Sequence, residues 1–302
     1  MIAERREAGS ASRSLRRALL ASGLLAAVGA PVAPVAAQTD YYNTDRGRPV
    51  QIEDAYATER YAFELKLAPA RVEWMGGEGA ASWDLEPEIA YGLLPRTHVE
   101  VGVPIAFTTT DLGGRRSGVA GVELSVMHNL NVETRTLPAF GLRADLLAPV
   151  GPLAPDRTYA TFTGMLTRTY RPLRIHLNGQ ITAGAAPTVA ASGPLLNLAP
   201  ADAPTANAEG LSRWLAGVAV DKTFPLHSLL LTAEFLARQP LLRSGDDLEL
   251  DAGAGMRLQV SPTLAVDLGV GRRVDSSDGP WYATFGTAYS FGLRALMPGG
   301  GR

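Results

Sequence analysis

From Tyr61 to the end of the chain, apolar and polar side chains alternate with a period of two, the period of a strand whose two faces meet different surroundings. Tyr61, Phe63, Leu65 and Leu67 alternate with Ala62, Glu64 and Lys66. Trp83, Leu85, Ile89 and Tyr91 alternate with Asp84, Glu86, Glu88 and Ala90, and Val99, Val101, Val103, Ile105 and Phe107 alternate with His98, Glu100 and Gly102. The pattern recurs at Val122-Leu124-Val126 against Glu123, at Phe140-Leu142-Leu146 against Arg143 and Asp145, and at Leu173-Ile175-Leu177 against Arg174 and His176. Further on, Trp214, Val218 and Val220 oppose Arg213 and Asp221, and Leu229, Leu231 and Phe235 oppose Glu234 and Arg238. Leu248, Leu250, Met256 and Leu258 oppose Glu249, Asp251 and Arg257, and Leu264, Val266, Leu268 and Val270 oppose Asp267 and Arg273. The stretch 157–170 matches least well, with threonines on one face and Ala160, Phe162 and Leu166 on the other. With the final strand this predicts about twelve strands.

Alternation alone fits a soluble sandwich as well as a membrane barrel. Three features favour the barrel. Many segments run about ten residues, the length of a tilted bilayer-spanning strand, whereas soluble strands average about five or six. The connections alternate in kind: tight at Leu93–Arg96, Arg171-Pro172, Pro225–His227 and Ser261-Pro262, longer at 75–81, 108–117, 150–157, 185–210, 240–246 and 274–280. Short turns on one rim and long loops on the other are the outer-membrane arrangement. The apolar face carries Tyr61, Trp83, Tyr91, Phe107, Trp214 and Trp281 near strand ends, where interfacial girdles belong. The expected fold is therefore all-β, a closed antiparallel transmembrane β-barrel over residues 59–296. Closure follows because an unpaired sheet edge facing lipid costs several kcal/mol per group. Pro87 is the weak point, since proline donates nothing to a ladder.

The N-terminus supplies a destination. Arg5, Arg6, Arg13, Arg16 and Arg17 precede an apolar run from Ala18 to Val28, and Val35-Ala36-Ala37 offers a small-residue cleavage site. This predicts a signal peptide over residues 1–37, broken by Pro31 and Pro34 in a way that disfavours a retained anchor. Removing it leaves 23 basic against 28 acidic side chains, a formal charge of −5. No basic patch argues for nucleic acid, which is set aside as a partner. The absence of cysteine excludes a disulfide scaffold and thiolate-held metal.

Two resemblances refine this picture. In the last strand Thr284, Gly286, Tyr289 and Phe291 fall at the spacing polar–x–Gly–x–x–aromatic–x–aromatic. That spacing resembles the C-terminal signal read by the barrel-assembly machinery, which is thereby implied as a partner along with outer-membrane lipid. The chain continues past the aromatic to a tail at 297–302. Tyr91-Gly92-Leu93-Leu94-Pro95-Arg96-Thr97-His98-Val99-Glu100-Val101-Gly102-Val103-Pro104 resembles the second hairpin of the phenol meta-pathway family of outer-membrane proteins. Gly118-Val119-Ala120-Gly121-Val122-Glu123-Leu124-Ser125-Val126 and Leu137-Pro138-Ala139-Phe140-Gly141-Leu142 resemble its following strands. The resemblance implies a channel or transporter, with hydrophobic or aromatic cargo suggested for some members. Departures at Ala120-Gly121 and Pro149-Val150-Gly151 leave the fold intact and put that cargo in doubt.

With lipid outside, the polar set faces the lumen: Glu64, Lys66, Glu86, Glu88, His98, Glu100, Glu123, Arg143, Asp145, Arg174, His176, Arg213, Glu234, Arg238, Glu249, Asp251, Arg257 and Asp267, with Arg273. These predict either a polar conduit for a small solute or a lumen filled by acid–base pairs. Eight strands leave an interior just filled, and sixteen or more an aqueous channel, so about twelve predicts a narrow or obstructed pore. Residues 38–58, with Asp45, Arg46, Arg48, Glu53 and Asp54, form a periplasmic N-terminal segment that either plugs the lumen or trails as a tail. Loop 185–210 is a second obstruction or a surface loop. The expected function is passive passage of small molecules, including hydrophobic ones, through the outer membrane, with no enzyme activity and no cofactor. The alternatives are a non-conducting structural or ligand-holding barrel and an outer-membrane hydrolase. For the last, His227-Ser228 are neighbours on a turn and no Gly-x-Ser-x-Gly occurs. Asp275, Asp278 and Gly279 do not complete a calcium loop. Gly253, Gly255, Gly269 and Gly271 fall mid-strand, where they thin the wall or let it bend.

Overall fold

A computed structural model describes residues 34–35, 42–74, 81–109, 115–185, 211–241, 248–293 and 296–297. Most of the predicted signal peptide, residues 38–41 and nearly all of loop 185–210 lie outside the described residues. The alternating segments pair in sequence order into twelve antiparallel strands that close on themselves. β1 is Ala62–Trp74, β5 is Ala139–Ala148, β6 is Tyr159–Tyr170 and β7 is Leu173–Ala183. β8 is Ser212–Phe224, β9 is Leu229–Pro240, β10 is Glu249–Ser261, β11 is Leu264–Arg273 and β12 is Trp281–Leu293. The remaining three are interrupted. β2 comprises Ala81–Leu85 and Glu88–Leu94, β3 comprises Thr97–Gly102 and Ile105–Thr109, and β4 comprises Arg115–Val119 and Val122–Asn129. The closing seam joins β12 to β1 from Trp281↔Trp74 to Gly292↔Ala62, with a bulge between Gly286 and Thr287. A second unit contains the two-residue strand Pro34–Val35.

The three interruptions fall side by side. Pro87 and Pro104 cannot donate to a ladder, and Gly121 adopts a φ of 147° that a side chain rarely allows. Neighbouring strands still cross the breaks, because Val103 donates to the Pro87 carbonyl at 3.0 Å and Ala120 to that of Pro104 at 2.8 Å. Pro87 is thus one step of a fault line through β2, β3 and β4.

The outer face is apolar and exposed, carrying Leu124, Val126, Leu142, Leu146, Phe162, Leu177, Ile181, Phe235, Leu258, Leu268, Val270 and Phe285. Aromatic rings gather at both rims. Trp83 stacks on Phe107 at 3.6 Å by the long loops. By the short turns Phe63 stacks on Tyr91 at 4.5 Å and on Phe291 at 5.3 Å. On β6 the threonine face points inward, Thr161, Thr163 and Thr167 being buried, while Phe162 is exposed. One connection on the short-turn rim, residues 130–138, is not tight. Its Glu133 accepts from the Thr169 N–H at 2.7 Å, and Arg168 donates to the Thr134 carbonyl at 2.5 Å, so the strap folds back onto the end of β6.

The inward face departs from a purely polar set. Met127, Leu147, Tyr159, Met165, Leu230, Leu236 and Tyr282 point into the barrel and are buried. For Met127, Met165 and Leu236 the reason lies in what occupies the lumen.

Candidate functional site

Residues 42–60 enter and leave the lumen at the same rim. At the short turns Arg174 donates to the Tyr42 carbonyl and Arg257 to that of Asn43. Asp45 to Arg48 then form a turn closed by Arg48 N–H to the Asp45 carbonyl at 3.1 Å, and Gly47 supplies the positive φ of 80°. The two legs are tied where Thr44 N–H donates to the Asp54 carboxylate at 3.0 Å and Asp54 N–H to the Thr44 carbonyl at 3.2 Å. The chain returns to the rim at Arg60, bridged to Gly92, and Tyr61 leads into β1.

A non-strand segment inside a barrel must find partners for its backbone groups. The wall supplies side chains. Glu234 accepts from Gln51 N–H at 2.8 Å and Ile52 N–H at 3.0 Å. Asn178 accepts Glu53 N–H at 2.7 Å and donates to its carbonyl at 2.8 Å, as a neighbouring strand would. Thr167 accepts Ala55 N–H at 3.0 Å, Asn129 donates to the Ala55 carbonyl at 2.7 Å, and Thr284 donates to that of Pro49 at 2.7 Å. His98 Nδ1 accepts Thr58 N–H at 3.0 Å.

Charge ties the same parts together in one network. Arg143 reaches Glu100 at 2.7 Å, Asp145 at 2.6 Å, Glu53 at 3.2 Å and Glu123 at 3.7 Å. Lys66 pairs with Glu100 at 2.6 Å, Glu88 at 3.3 Å and Asp45 at 3.4 Å. Arg257 holds Asp267 at 2.6 Å and Asp45 at 2.8 Å. Arg46 binds Glu123, and Asp145 at 3.3 Å. Arg48, 1% exposed, binds Asp45 at 2.6 Å, Asp267 at 3.2 Å and Glu64 at 3.3 Å. Glu86 sits in the β2 break, 3.4 Å from where a Cβ on Gly102 would lie.

The other sequence candidates fall into two groups and one exception. Arg238 and Arg273 interleave with Glu249 and Asp251 between β9, β10 and β11 at 2.6–3.6 Å, nearer the long loops. Arg174 and His176 share Asp221 at 2.7 and 2.8 Å. Arg213 is the exception. It lies where β8 bulges between Ser212 and Trp214, and it donates to the Gly184 carbonyl at the long-loop rim rather than joining the lumen network.

Met127, Met165 and Leu236 and some of the mid-strand glycines are seats for the segment, whereas Gly253 and Gly271 make room for the ring of Tyr282. Ile52 packs on Ala219, Leu236 and Leu215, and Ala55 on Met127, Met165 and Ala139. A Cβ on Gly269 would lie 2.1 Å from the Pro49 carbonyl oxygen, one on Gly255 2.6 Å from Pro49 Cβ, and one on Gly217 2.5 Å from Ile52 Cδ1. These glycines face inward, so they make room for the segment rather than thinning the wall. Gly269→Val is therefore expected to expel the segment while leaving the strand sound. Overpacking costs about 1–3 kcal/mol, so trypsin should cut after Arg46 about tenfold faster or more. Unchanged protection would show that Pro49 does not depend on this seat.

Thr167, His176 and Asp221 form a hydrogen-bonded line, with Thr167 Oγ1 to His176 Nδ1 at 2.9 Å and Nε2 to Asp221 at 2.8 Å. The order is that of a nucleophile, a base and its orienting acid. Acyl transfer also needs donors for an oxyanion, whereas β6 and β7 pair with each other without interruption here. Thr167 Oγ1 already takes the Ala55 N–H. The line fixes the threonine hydroxyl so that its lone pair faces that N–H, which makes it a latch.

Between the legs of the segment, Thr44, Tyr56, Glu64, His98 and Ser290 border a cavity of about 30 Å³, room for water but not for an organic solute.

No family model and no curated protein matches the chain, so the phenol meta-pathway resemblance has no counterpart there. Solved structures are similar in fold. A KdgM porin aligns over 76% of this chain and 98% of its own at 9% identity and a TM-score of 0.46. An outer membrane channel from Pseudomonas putida F1 aligns over 79% and 98% at 12% identity and 0.48. Outer membrane phospholipase A from Escherichia coli aligns over 82% and 95% at 10% identity and 0.39. At such identities the likeness is one of fold alone.

Proposed function

We propose that this chain is an outer-membrane channel for small solutes, closed in the state described by residues 42–58 acting as a removable plug. The observation that carries this reading is how the segment is held. It joins the wall through side chains and seats, so it can leave without breaking any of the twelve strand pairings. A segment meant to stay would more economically add backbone pairing. The exposed apolar belt with aromatic rims suits a bilayer, and closure leaves no strand edge to lipid. Cargo passes down its gradient once the plug withdraws toward the short-turn rim, which this reading assigns to the periplasm. Hydrophobic moieties have the Ile52 and Ala55 seats to lie against.

The test is a reversible tether in the full chain. A Cβ on Gly141 would lie 3.2 Å from Ala55 Cα, within reach of disulfide geometry, and the chain has no cysteine of its own. The Ala55→Cys/Gly141→Cys protein should be silent in a planar bilayer when oxidised and should show brief flickering openings after reduction. Equal current in both states would sink the plug. Silence in both, with heat-modifiable gel mobility showing a folded barrel, would favour the non-conducting reading.

A further inference from the structure

The wall belt that grips the plug is not balanced by itself. In the network above, six wall carboxylates meet only three wall bases, Lys66, Arg143 and Arg257. The plug brings in two guanidinium groups, each seated in a pair of wall acids. Arg46 lies in the Glu123–Asp145 pair and Arg48 in the Glu64–Asp267 pair. Among the described residues Arg48 is the one cation paired with Glu64, and without Arg46 the nearest cation to Glu123 is Arg143 at 3.7 Å. When the plug leaves, its own Asp45, Glu53 and Asp54 leave too, and two acid pairs of guanidinium-binding geometry open onto a wall belt of six carboxylates and three bases. Planar guanidinium forks match two carboxylate acceptors better than ammonium does, and acidic belts select cations. The seat vacated by Ala55, where Met127 pairs with Arg143 across β4 and β5, adjoins the Glu123–Asp145 pair and suits an apolar body behind a charged head.

We infer that the plug is an internal stand-in for cargo, and that the barrel takes small organic cations bearing a guanidinium or amidinium group, which compete with Arg46 for the Glu123–Asp145 pair. This rests on the removable-plug reading, and its test does not depend on current. Ala55 belongs to the plug and is fully buried against the wall, so the labelling rate of Ala55→Cys by a maleimide, in a chain otherwise free of cysteine, reports plug release. The probe is agmatine, a guanidinium with an aminobutyl tail, compared with sodium chloride and sodium glutamate at equal ionic strength. At ten times its dissociation constant a competing ligand raises the displaced population about elevenfold, so labelling should accelerate about tenfold with agmatine and much less with either salt. Equal acceleration by sodium chloride would mean simple screening and would overturn the inference, as would no acceleration at all.

A second variant guards against misfolding. In Ala55→Cys/Arg46→Ala the acid pair stands vacant beside a docked plug, so guanidinium chloride at low millimolar concentration should slow labelling by filling the vacancy. Failure of guanidinium to protect better than sodium chloride would also overturn the inference. If labelling responds as expected but the tethered channel never conducts, the cation site stands and the channel reading falls.

Discussion

Deleting residues 42–58 is expected to turn a closed or flickering barrel into one that carries steady current in a planar bilayer. Every backbone and charge contact described for the plug is to the wall or within the plug itself, so its removal leaves the twelve strands paired. What remains is a lumen between the filled interior of an eight-stranded barrel and the open channel of a sixteen-stranded one. Among the described residues the charged cluster that remains toward the long loops is Arg238, Arg273, Glu249 and Asp251 on β9 to β11. Steady current with a folded barrel is the expected result. Silence from the folded deletion variant would show that the wall alone fills the lumen. It would then be this acid–base cluster, together with the inward threonines of β6, that closes it.

Arg143→Met should be the most destabilising single change in the site. Arg143 is the hub for four carboxylates, Glu53, Glu100, Glu123 and Asp145, and it also donates to Ser125 at 3.1 Å. Removing one partner from a buried ionic cluster leaves charge uncompensated and costs about 3–5 kcal/mol, far more than the intact cluster contributes over an apolar replacement. Equilibrium unfolding in urea from detergent micelles should show a loss of that order. Arg143→Lys should recover only part of it, since a single ammonium does not reach four acceptors at once. Loss confined to the plug would appear instead as rapid trypsin cleavage with the barrel midpoint unmoved. A loss below about 1 kcal/mol, the level of an exposed pair, would show that water screens this belt and that the hub is not buried in practice.

How much of this was legible in the sequence follows from what alternation encodes. Period two fixes which side chains share a face, so the strands and their order can be read directly, and Glu64, Lys66, Glu88, Glu100, Arg143, Asp145, Arg257 and Asp267 fall together on the polar face. Even the poor match at 157–170 came out with its threonines inward. Alternation says nothing of what lies inside. Met127, Met165 and Leu236 look like errors on a polar face until Ile52 and Ala55 are seen against them. Gly255 and Gly269 read as wall-thinning because the atoms they admit, those of Pro49, lie some two hundred positions away. His176 reads only as one of the lumen set, because Thr167 and Asp221 reach it from separate strands. Thr284 was read only within an assembly signal, yet it also holds the Pro49 carbonyl. Alternation puts Asn178 on the polar face with Arg174 and His176 but does not reveal its backbone partner, and Asn129 carries no signal, since asparagine pairing with a backbone has no fixed spacing. The strap at 130–138 was missed because nothing in its composition separates it from the ends of the strands beside it.

The plug passes into β1 through Arg60 and Tyr61 with no linker between them. A ligand so attached never diffuses away from its receptor. Its re-entry is a first-order event, governed by an effective concentration on the millimolar scale for short tethers. A free solute of similar intrinsic affinity therefore opens the barrel only when its own concentration approaches that value. On the proposed channel reading, the pore below that concentration opens only in brief flickers. Above it the barrel opens in proportion to supply, and it closes again unaided when the supply is gone.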